Sequence, residues 1–339
     1  MKILVIRFSS AGDIILTSPF VRALRRRYPD AEVHFAVKEE FASLLEHSPH
    51  VDRLITLPRG AGFATLLRMK SALIAELGGE YDIVFDLHDS LRSRHLRFGM
   101  GRAVAVVRKP TLDKWLLVHR KIDRMQPVVP IPLRYLETGR PFSIEDDGEG
   151  LELHIGGTLA PIAPAAGRPT IGLAPGARHF TKRWPAERYR ELAGALVARL
   201  DARIVIFGSD DDRSAGAEII RGLPDAVNLA GRATLLEAAA ACDVCDVVVT
   251  NDSAMTHVAA ARRRPVVTIF GSTAQQFGFG PFRTPSAVVE NVGLHCRPCT
   301  TIGRASCPEG HFRCMLEIGS EEVAAAVVAA RQNARSPRR

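Results

Sequence analysis

Four segments of this chain carry residues able to move a proton or hold a phosphate. Ser9-Ser10-Ala11-Gly12-Asp13 puts a carboxylate where an apolar run gives way to a helical one. There Asp13 can act as an N-cap that accepts backbone N–H bonds, or can take a proton from a hydroxyl held at the strand end. Lys182 and Arg183 follow the Pro175-Gly176 turn and precede Trp184-Pro185, where proline suits the first turn of a helix. Helix amino ends and cations both favour phosphate; the alternative is a solvated basic loop. Trp184 reads as a packing anchor. In the block from Thr250 to His257, Asp252 or Ser253 can cap a helix whose free N–H groups and positive dipole end make an anion site. His257, one turn in, can donate to a diphosphate oxygen or serve as an ordinary satisfied structural group.

Two further clusters are less decisive. The D-x-D spacing in Gly208-Ser209-Asp210-Asp211-Asp212 occurs in enzymes that hold a divalent metal, but it follows a strand, where an acid commonly meets a ribose hydroxyl. Asp212 is then a ribose contact or a solvated helix start. Cys296-x2-Cys299-x7-Cys307-x6-Cys314 has the ligand count of a structural zinc site; disulfides and packed free thiols are the alternatives.

The elements that must position these residues follow a βαβ rhythm. Apolar, β-branched runs at 3–8, 33–37, 53–57 and 81–87 predict strands, with a helix near 14–27. A Pro- and Gly-rich stretch from 127 to 169 predicts an interdomain connection. The alternation restarts with strands at 170–175, 203–208, 246–250 and 266–271, and helices near 185–199, 234–242 and 252–262. Two parallel sheets follow, and ligands of such sheets bind beyond the carboxyl ends of the strands. Those ends are where the chemistry-bearing segments fall.

A chain of 339 residues suits two domains, and 46% hydrophobic with 24% charged residues suits a globular class. There is no G-x-G-x-x-G and no G-x-x-x-x-G-K-[ST], which disfavours nicotinamide dehydrogenases and P-loop enzymes. The net charge of +8 points to an anionic partner. Aromatics at 6% do not alternate with the arginines, so anionic lipid or sugar fits better than nucleic acid. The apolar start is short and broken by Arg7, unlike a signal peptide, and no apolar run reaches membrane-span length, so the expected location is the cytoplasm.

R-F-S-S-A-G-D at 7–13, P-G-A…T-K-R-W-P at 175–185, T-N-D-S-A-M-T-H-V-A-A-A at 250–261 and C-x-P-C…C-P-x-G-H-x-x-C at 296–314 together resemble glycosyltransferase family 9, the ADP-heptose:lipopolysaccharide heptosyltransferases. The resemblance runs in order over nearly the whole chain. It implies an α/β GT-B fold of two Rossmann-like domains with parallel sheets facing across a cleft. Residues 1–160 would bind the acceptor, 166–320 the nucleotide sugar, and 321–339 would form a C-terminal helix and basic tail. By this resemblance Asp13 is the general base, Ser9, Ser10 and Gly12 shape its loop and border the donor, and Lys182 meets the donor diphosphate. Asp252, Ser253 and His257 match the donor-phosphate block, Asp212 the ribose acid, and Ala233 adds to the donor site. Ala254 stands where the family usually has Gly. Residues 176–181 lack the paired hydroxyls of some relatives, leaving Arg178, His179 and Thr181 as replacements.

The expected reaction is a single inverting displacement without a catalytic metal or resident cofactor: Asp13 deprotonates the acceptor hydroxyl as it attacks, and Lys182 with the helix end after Asp252 stabilises the departing ADP. The implied donor is ADP-L-glycero-D-manno-heptose and the acceptor a Kdo-containing lipid A precursor at the cytoplasmic membrane face. Arg92, Arg94, Arg108 and Lys109 are candidate acceptor contacts, or a solvated face. The chain is expected to be a monomer, peripheral to the inner membrane, with no nucleic-acid partner. The rival readings are a GT-B-like enzyme of another nucleotide sugar, and a non-catalytic binder of anionic lipid or nucleic acid.

Overall fold

A computed structural model describes residues 1–335. They cluster into two compact units: Met1–Lys109 with Ile131–Gly156, and Pro110–Pro130 with the residues from Gly157 on. The first unit holds a parallel sheet of β1 (Lys2–Ile6), β2 (Glu32–Lys38), β3 (Arg53–Leu57), β4 (Tyr81–Asp86) and β5 (Gly101–Val106), in the order β3-β2-β1-β4-β5. Ile3 pairs with Val33 on one side and Ile83 on the other. Ile3, Leu4, Val5 and Ile6 are all fully buried, so helices must cover both faces, as a continuous apolar run requires. Those helices are α1 (Ala11–Ile15), α2 (Ser18–Arg27), α3 (Phe63–Leu77), α4 (Leu91–Arg97) and, after α5 (Thr111–Arg120) of the other unit, α6 (Ile131–Gly139).

The second unit holds β6 (Thr170–Ala174), β7 (Arg203–Ile206), β8 (Val227–Asn228), β9 (Val247–Asn251), β10 (Val266–Phe270) and β11 (Ser286–Glu290), all parallel, in the order β11-β10-β9-β6-β7-β8. Its helices are α7 (Ala186–Leu200), α8 (Arg213–Ile219), α9 (Leu235–Cys242), α10 (Ala254–Ala261), α11 (Arg313–Leu316) and α12 (Ser320–Arg335). Each sheet reverses its winding once, between β1 and β4 and between β6 and β9. At such switch points the loops diverge to opposite faces and leave a crevice for ligands. The segments ending in Asp13 and containing Lys182 and Asp252 leave β1, β6 and β9, so sheet topology alone puts them at the two crevices.

Four boundaries differ from expectation. The helix near 14–27 is two, α1 and α2, because Thr17 and Ser18 turn their hydroxyls back onto the Ile14 and Ile15 carbonyls and Pro19 opens a new first turn. The stretch 127–169 is a linker only in part: α6 buries Ile131, Tyr135 and Leu136, and Arg22 holds Asp147 and the Gly150 carbonyl, which fastens residues up to 156 to the first unit. Residues 110–130, expected within 1–160, group instead with the second unit, where Leu117, Val118 and Met125 pack on Ala274 and Phe277. Likewise α12 buries Val323, Ala324, Val327 and Ala330 in the second core rather than forming a separate piece; tail residues 336–339 lie outside the described residues. Among the described residues, no helix is long and apolar enough to cross a membrane.

Candidate functional site

At the carboxyl end of β1 the chain presents Arg7 and, one turn later, Asp13. Asp13 is not the N-cap: Ser10 caps α1, and Asp13 sits at the third helical position and reaches back to accept from the Ser10 N–H (3.1 Å) and hydroxyl (2.7 Å) on Oδ2. Its Oδ1 pairs with the Arg7 guanidinium at 2.6 Å. A carboxylate has about four acceptor positions, so about one remains on Oδ1 for an incoming hydroxyl. Burial opposes ionisation of Asp13, but the Arg7 charge and the Ser10 bonds outweigh it and hold its pKa below the ordinary carboxylate range. The group is therefore a permanently ionised acceptor across physiological pH.

Sequence reasoning passed over what surrounds it. Arg7, seen only as an interruption of an apolar run, also donates to the Leu87 carbonyl (2.7 Å) and lies 5.8 Å from the Tyr135 ring centroid. His88, after β4, lies tilted against Phe8 with ring centroids 5.6 Å apart; burial and then the Arg7 and Lys109 charges push its pKa down to about 4, so it is neutral. Its Nδ1 and the Tyr135 hydroxyl are buried without a hydrogen-bond partner. Unsatisfied buried polar atoms cost about 1–3 kcal/mol each and mark this end of the sheet as a place built to meet something else. In Arg7→Gln the opposition to burial weakens, so the Asp13 pKa rises. The acid limb of kcat then moves toward neutral pH from a parent limb that lies below the ordinary carboxylate range. Superimposable pH profiles of parent and variant would remove Asp13 from the rate-determining protonation.

In the second unit a cavity of about 330 Å³ lies at the carboxyl ends of β6, β7 and β9. Ala174, Phe207, Leu235 and Met255 give it apolar walls, and Asp212, Ser209, Thr234 and Ser253 line it with polar groups. This mix suits an aromatic base carrying a sugar hydroxyl pair. Asp212 repeats the arrangement of Asp13, accepting from the Ser209 N–H (2.9 Å) and hydroxyl (2.7 Å). A Cβ on Gly176 would stand 2.6 Å from Asp212 Cγ, and one on Gly208 2.7 Å from its Cβ, so glycine at both positions is what lets the carboxylate lie over the turn. Ala233 and Ala254 line the same cavity. The sequence hid Thr234, although Thr234-x-x-Glu237 is a capping box: Glu237 N–H donates to Thr234 Oγ1 (3.2 Å) and Thr234 N–H to Glu237 Oε2 (2.7 Å).

α10 begins at this cavity with Ser253 as its N-cap. The Ser253 hydroxyl pairs with Thr250 Oγ1 at 3.0 Å and makes no cap bond, which leaves the first turn of N–H groups without a side-chain partner. Asp252 also does not cap; its Oδ2 accepts from Lys182 Nζ and Thr273 Oγ1, both at 2.7 Å. It is better described as the group that aims Lys182 than as a phosphate contact, since a second anion would repel diphosphate. Asn251 carries equal structural weight and escaped notice: it accepts from Trp184 N–H (3.1 Å) and Tyr189 hydroxyl (3.2 Å) and donates to the Pro175 carbonyl (2.7 Å), locking the two loops together. Trp184 is a core anchor, 1% exposed. His257 is buried in the first turns of α10 beside Phe279.

Other expected residues are placed differently. The Thr181 hydroxyl is 1% exposed and committed inside the unit, donating to the Arg304 carbonyl and accepting from Arg304 N–H and Ser272 hydroxyl, so it does not replace a donor-binding hydroxyl. Arg178 is exposed on the loop after β6, and Ser9 is half-buried and Gly12 buried beside Asp13. Of the acceptor candidates, Arg92 and Arg108 are exposed, Arg94 is tied to Asp89 through Nε (2.9 Å), and Lys109 donates to the Asp89 carbonyl (3.1 Å). Cys296, Cys299, Cys307 and Cys314 are free thiols. Among the described residues they do not bring three ligand atoms within 4.8 Å of one another; Cys296 Sγ faces His311 Nε2 at 3.7 Å and Cys299 Sγ the Ser272 carbonyl at 3.9 Å.

Comparison with known proteins gives matches over most of the chain. The family model described as Glycosyltransferase family 9 (heptosyltransferase) matches residues 70–307. The chain is 29% identical to lipopolysaccharide heptosyltransferase 2 of Escherichia coli K12, over 95% of this chain and 96% of that one. It is 30% identical to lipooligosaccharide heptosyltransferase 2 of Haemophilus influenzae, over 82% and 85%. Among solved structures, E. coli ADP-heptose lps heptosyltransferase II superposes with a TM-score of 0.73 at 24% identity, over 99% of this chain and 100% of that one. The E. coli heptosyltransferase WaaC with ADP gives 0.71 at 21%, over 97% and 100%. Two doubly wound parallel-sheet units of the GT-B kind, with that match over most of its length, make this chain a member of glycosyltransferase family 9, the heptosyltransferases.

Proposed function

We propose that this enzyme transfers a heptose from ADP-L-glycero-D-manno-heptose to the inner core of a Kdo-containing lipid A precursor, with inversion at the anomeric carbon and without a catalytic metal or resident cofactor. The observation that carries the reading is the nucleotide-sized cavity at the β6/β9 switch point, with the uncapped start of α10 on its wall. Asp212 takes the ribose hydroxyls, and Lys182 with the α10 amino end receives the diphosphate, where negative charge grows as the sugar departs. Asp13 accepts the proton of the acceptor hydroxyl as that oxygen attacks the anomeric carbon; the C–O bond to ADP breaks in the same step. The fixed positive groups supply the charge that a divalent ion supplies in other sugar-nucleotide enzymes.

The enzyme works as a monomer at the cytoplasmic membrane face. Supporting this, Phe63, Leu67, Leu91 and Phe98 on and after α3 and α4 are exposed, beside the exposed Arg68 and Arg92. Apolar side chains among cations suit an anionic bilayer surface. The test is ADP release from ADP-heptose with and without Kdo-containing acceptor, alongside melting curves with ADP, UDP and GDP. Release that depends on acceptor, and a rise in Tm with ADP that exceeds those with UDP and GDP, are expected. Equal shifts with all three would point to another donor, and no release with bound ADP to a binder rather than a transferase.

A further inference from the structure

Away from both crevices, His50, Glu152 and His154 form the one group of three ligating side chains that converge in the described residues, all donor atoms lying within 4.8 Å of one another. His50 precedes β3, and Glu152 and His154 lie two apart on the segment that leaves the first unit. His50 Nε2 stands 2.8 Å and His154 Nε2 3.5 Å from the same oxygen, Glu152 Oε1. Two ligands of a tetrahedral zinc, each about 2.0–2.1 Å from the ion, stand about 3.3 Å apart, and the observed pair of distances brackets that spacing. We propose that these three side chains bind a zinc-class dication, a site separate from the transfer chemistry.

Each part of the surroundings suits that role. The other carboxylate oxygen, Oε2, is held by Arg22 at 3.2 Å, and Arg22 is itself paired with Asp147 through Nε (2.6 Å) and Nη2 (2.9 Å). That outer contact fixes the carboxylate and leaves Oε1 for an ion, while Asp147 neutralises the guanidinium that would otherwise repel it. His154 Nε2 is buried and makes no hydrogen bond; its ion pair with Glu152 Oε1, at 3.5 Å, is the longer of the two. A cavity of about 20 Å³ borders all three residues, room for about one water as a fourth ligand. The side chains are 17%, 24% and 37% exposed, so an ion can enter. Because Ile14 and Ile15 line the same cavity, a bound ion would stiffen the floor under α1, the helix that carries Asp13.

The experiment is titration of the full-length, EDTA-stripped protein with zinc chloride by calorimetry, and with cobalt(II) by absorption, for the parent, His50→Ala and His154→Ala. Circular dichroism in EDTA confirms that each variant is folded. One equivalent bound, a rise in Tm, a cobalt spectrum lacking the sulfur-to-metal charge-transfer band, and affinity lowered about 100-fold or more in either variant are expected. Failure of the parent to bind zinc, unchanged affinity in His154→Ala, or a cobalt spectrum dominated by thiolate bands would each overturn the proposal, the last by assigning the ion to the cysteines.

Discussion

Asp13→Asn lowers kcat by about 10²–10⁴-fold, the usual yield of a positioned base, while the affinity for ADP stays within about twofold. The asymmetry follows from where the residue sits: it belongs to the first unit, and the nucleotide cavity is lined wholly by the second. The amide cannot accept the acceptor proton. It also cannot satisfy both neighbours, since an oxygen turned to Arg7 leaves an NH₂ against the Ser10 N–H, a mismatch costing about 1–3 kcal/mol. A drop in Tm is therefore part of the expected result. Single-turnover rates at saturating substrate, measured well below that Tm, separate the two effects; near-parent turnover in a folded variant removes Asp13 from the chemistry.

Lys182→Ala lowers kcat by about 10²–10³-fold, the range seen when one preorganised charge facing a developing anion is removed. The variant also strands Asp252, whose buried carboxylate keeps only the Thr273 hydroxyl. Loss of stability is thus built into the single change, and a double variant resolves it. Lys182→Ala with Asp252→Asn removes the orphaned charge and recovers Tm, yet stays as slow as the single variant if the lysine acts on the diphosphate. Recovery of rate together with Tm would instead reduce Lys182 to a structural partner of Asp252.

Much of this was legible in the residues because both sheets are read from apolar runs that are buried on both faces. β1, β4, β6, β9 and β10 are such runs, and the chemistry-bearing loops follow from where they end. β5 escaped because its side chains alternate between half-buried and exposed at a sheet edge, and β8 because two residues carry no period. Tyr135 escaped because its surroundings are rich in proline and glycine, yet α6 has a buried face. The partnerships of the charged residues were the least visible. Arg7 with Asp13 and Lys182 with Asp252 are separated by 6 and 70 positions, and no local rule pairs them. Thr181 shows the converse: a hydroxyl in a donor-binding segment was claimed by Arg304, whose position relative to β6 only the fold decides.

The grouping of 110–130 with later residues means that the polypeptide passes from one unit to the other three times, after Lys109, Pro130 and Gly156. No single scission yields two intact halves. A fragment starting in the linker would lose α5 and bare Ala274 and Phe277, and one ending at Lys109 would lose α6 and the Asp147 clasp on Arg22. Such interleaving sets an order during synthesis: the first sheet is complete by Val106, but its unit is not closed until residues 110–130 of the other unit have already been made.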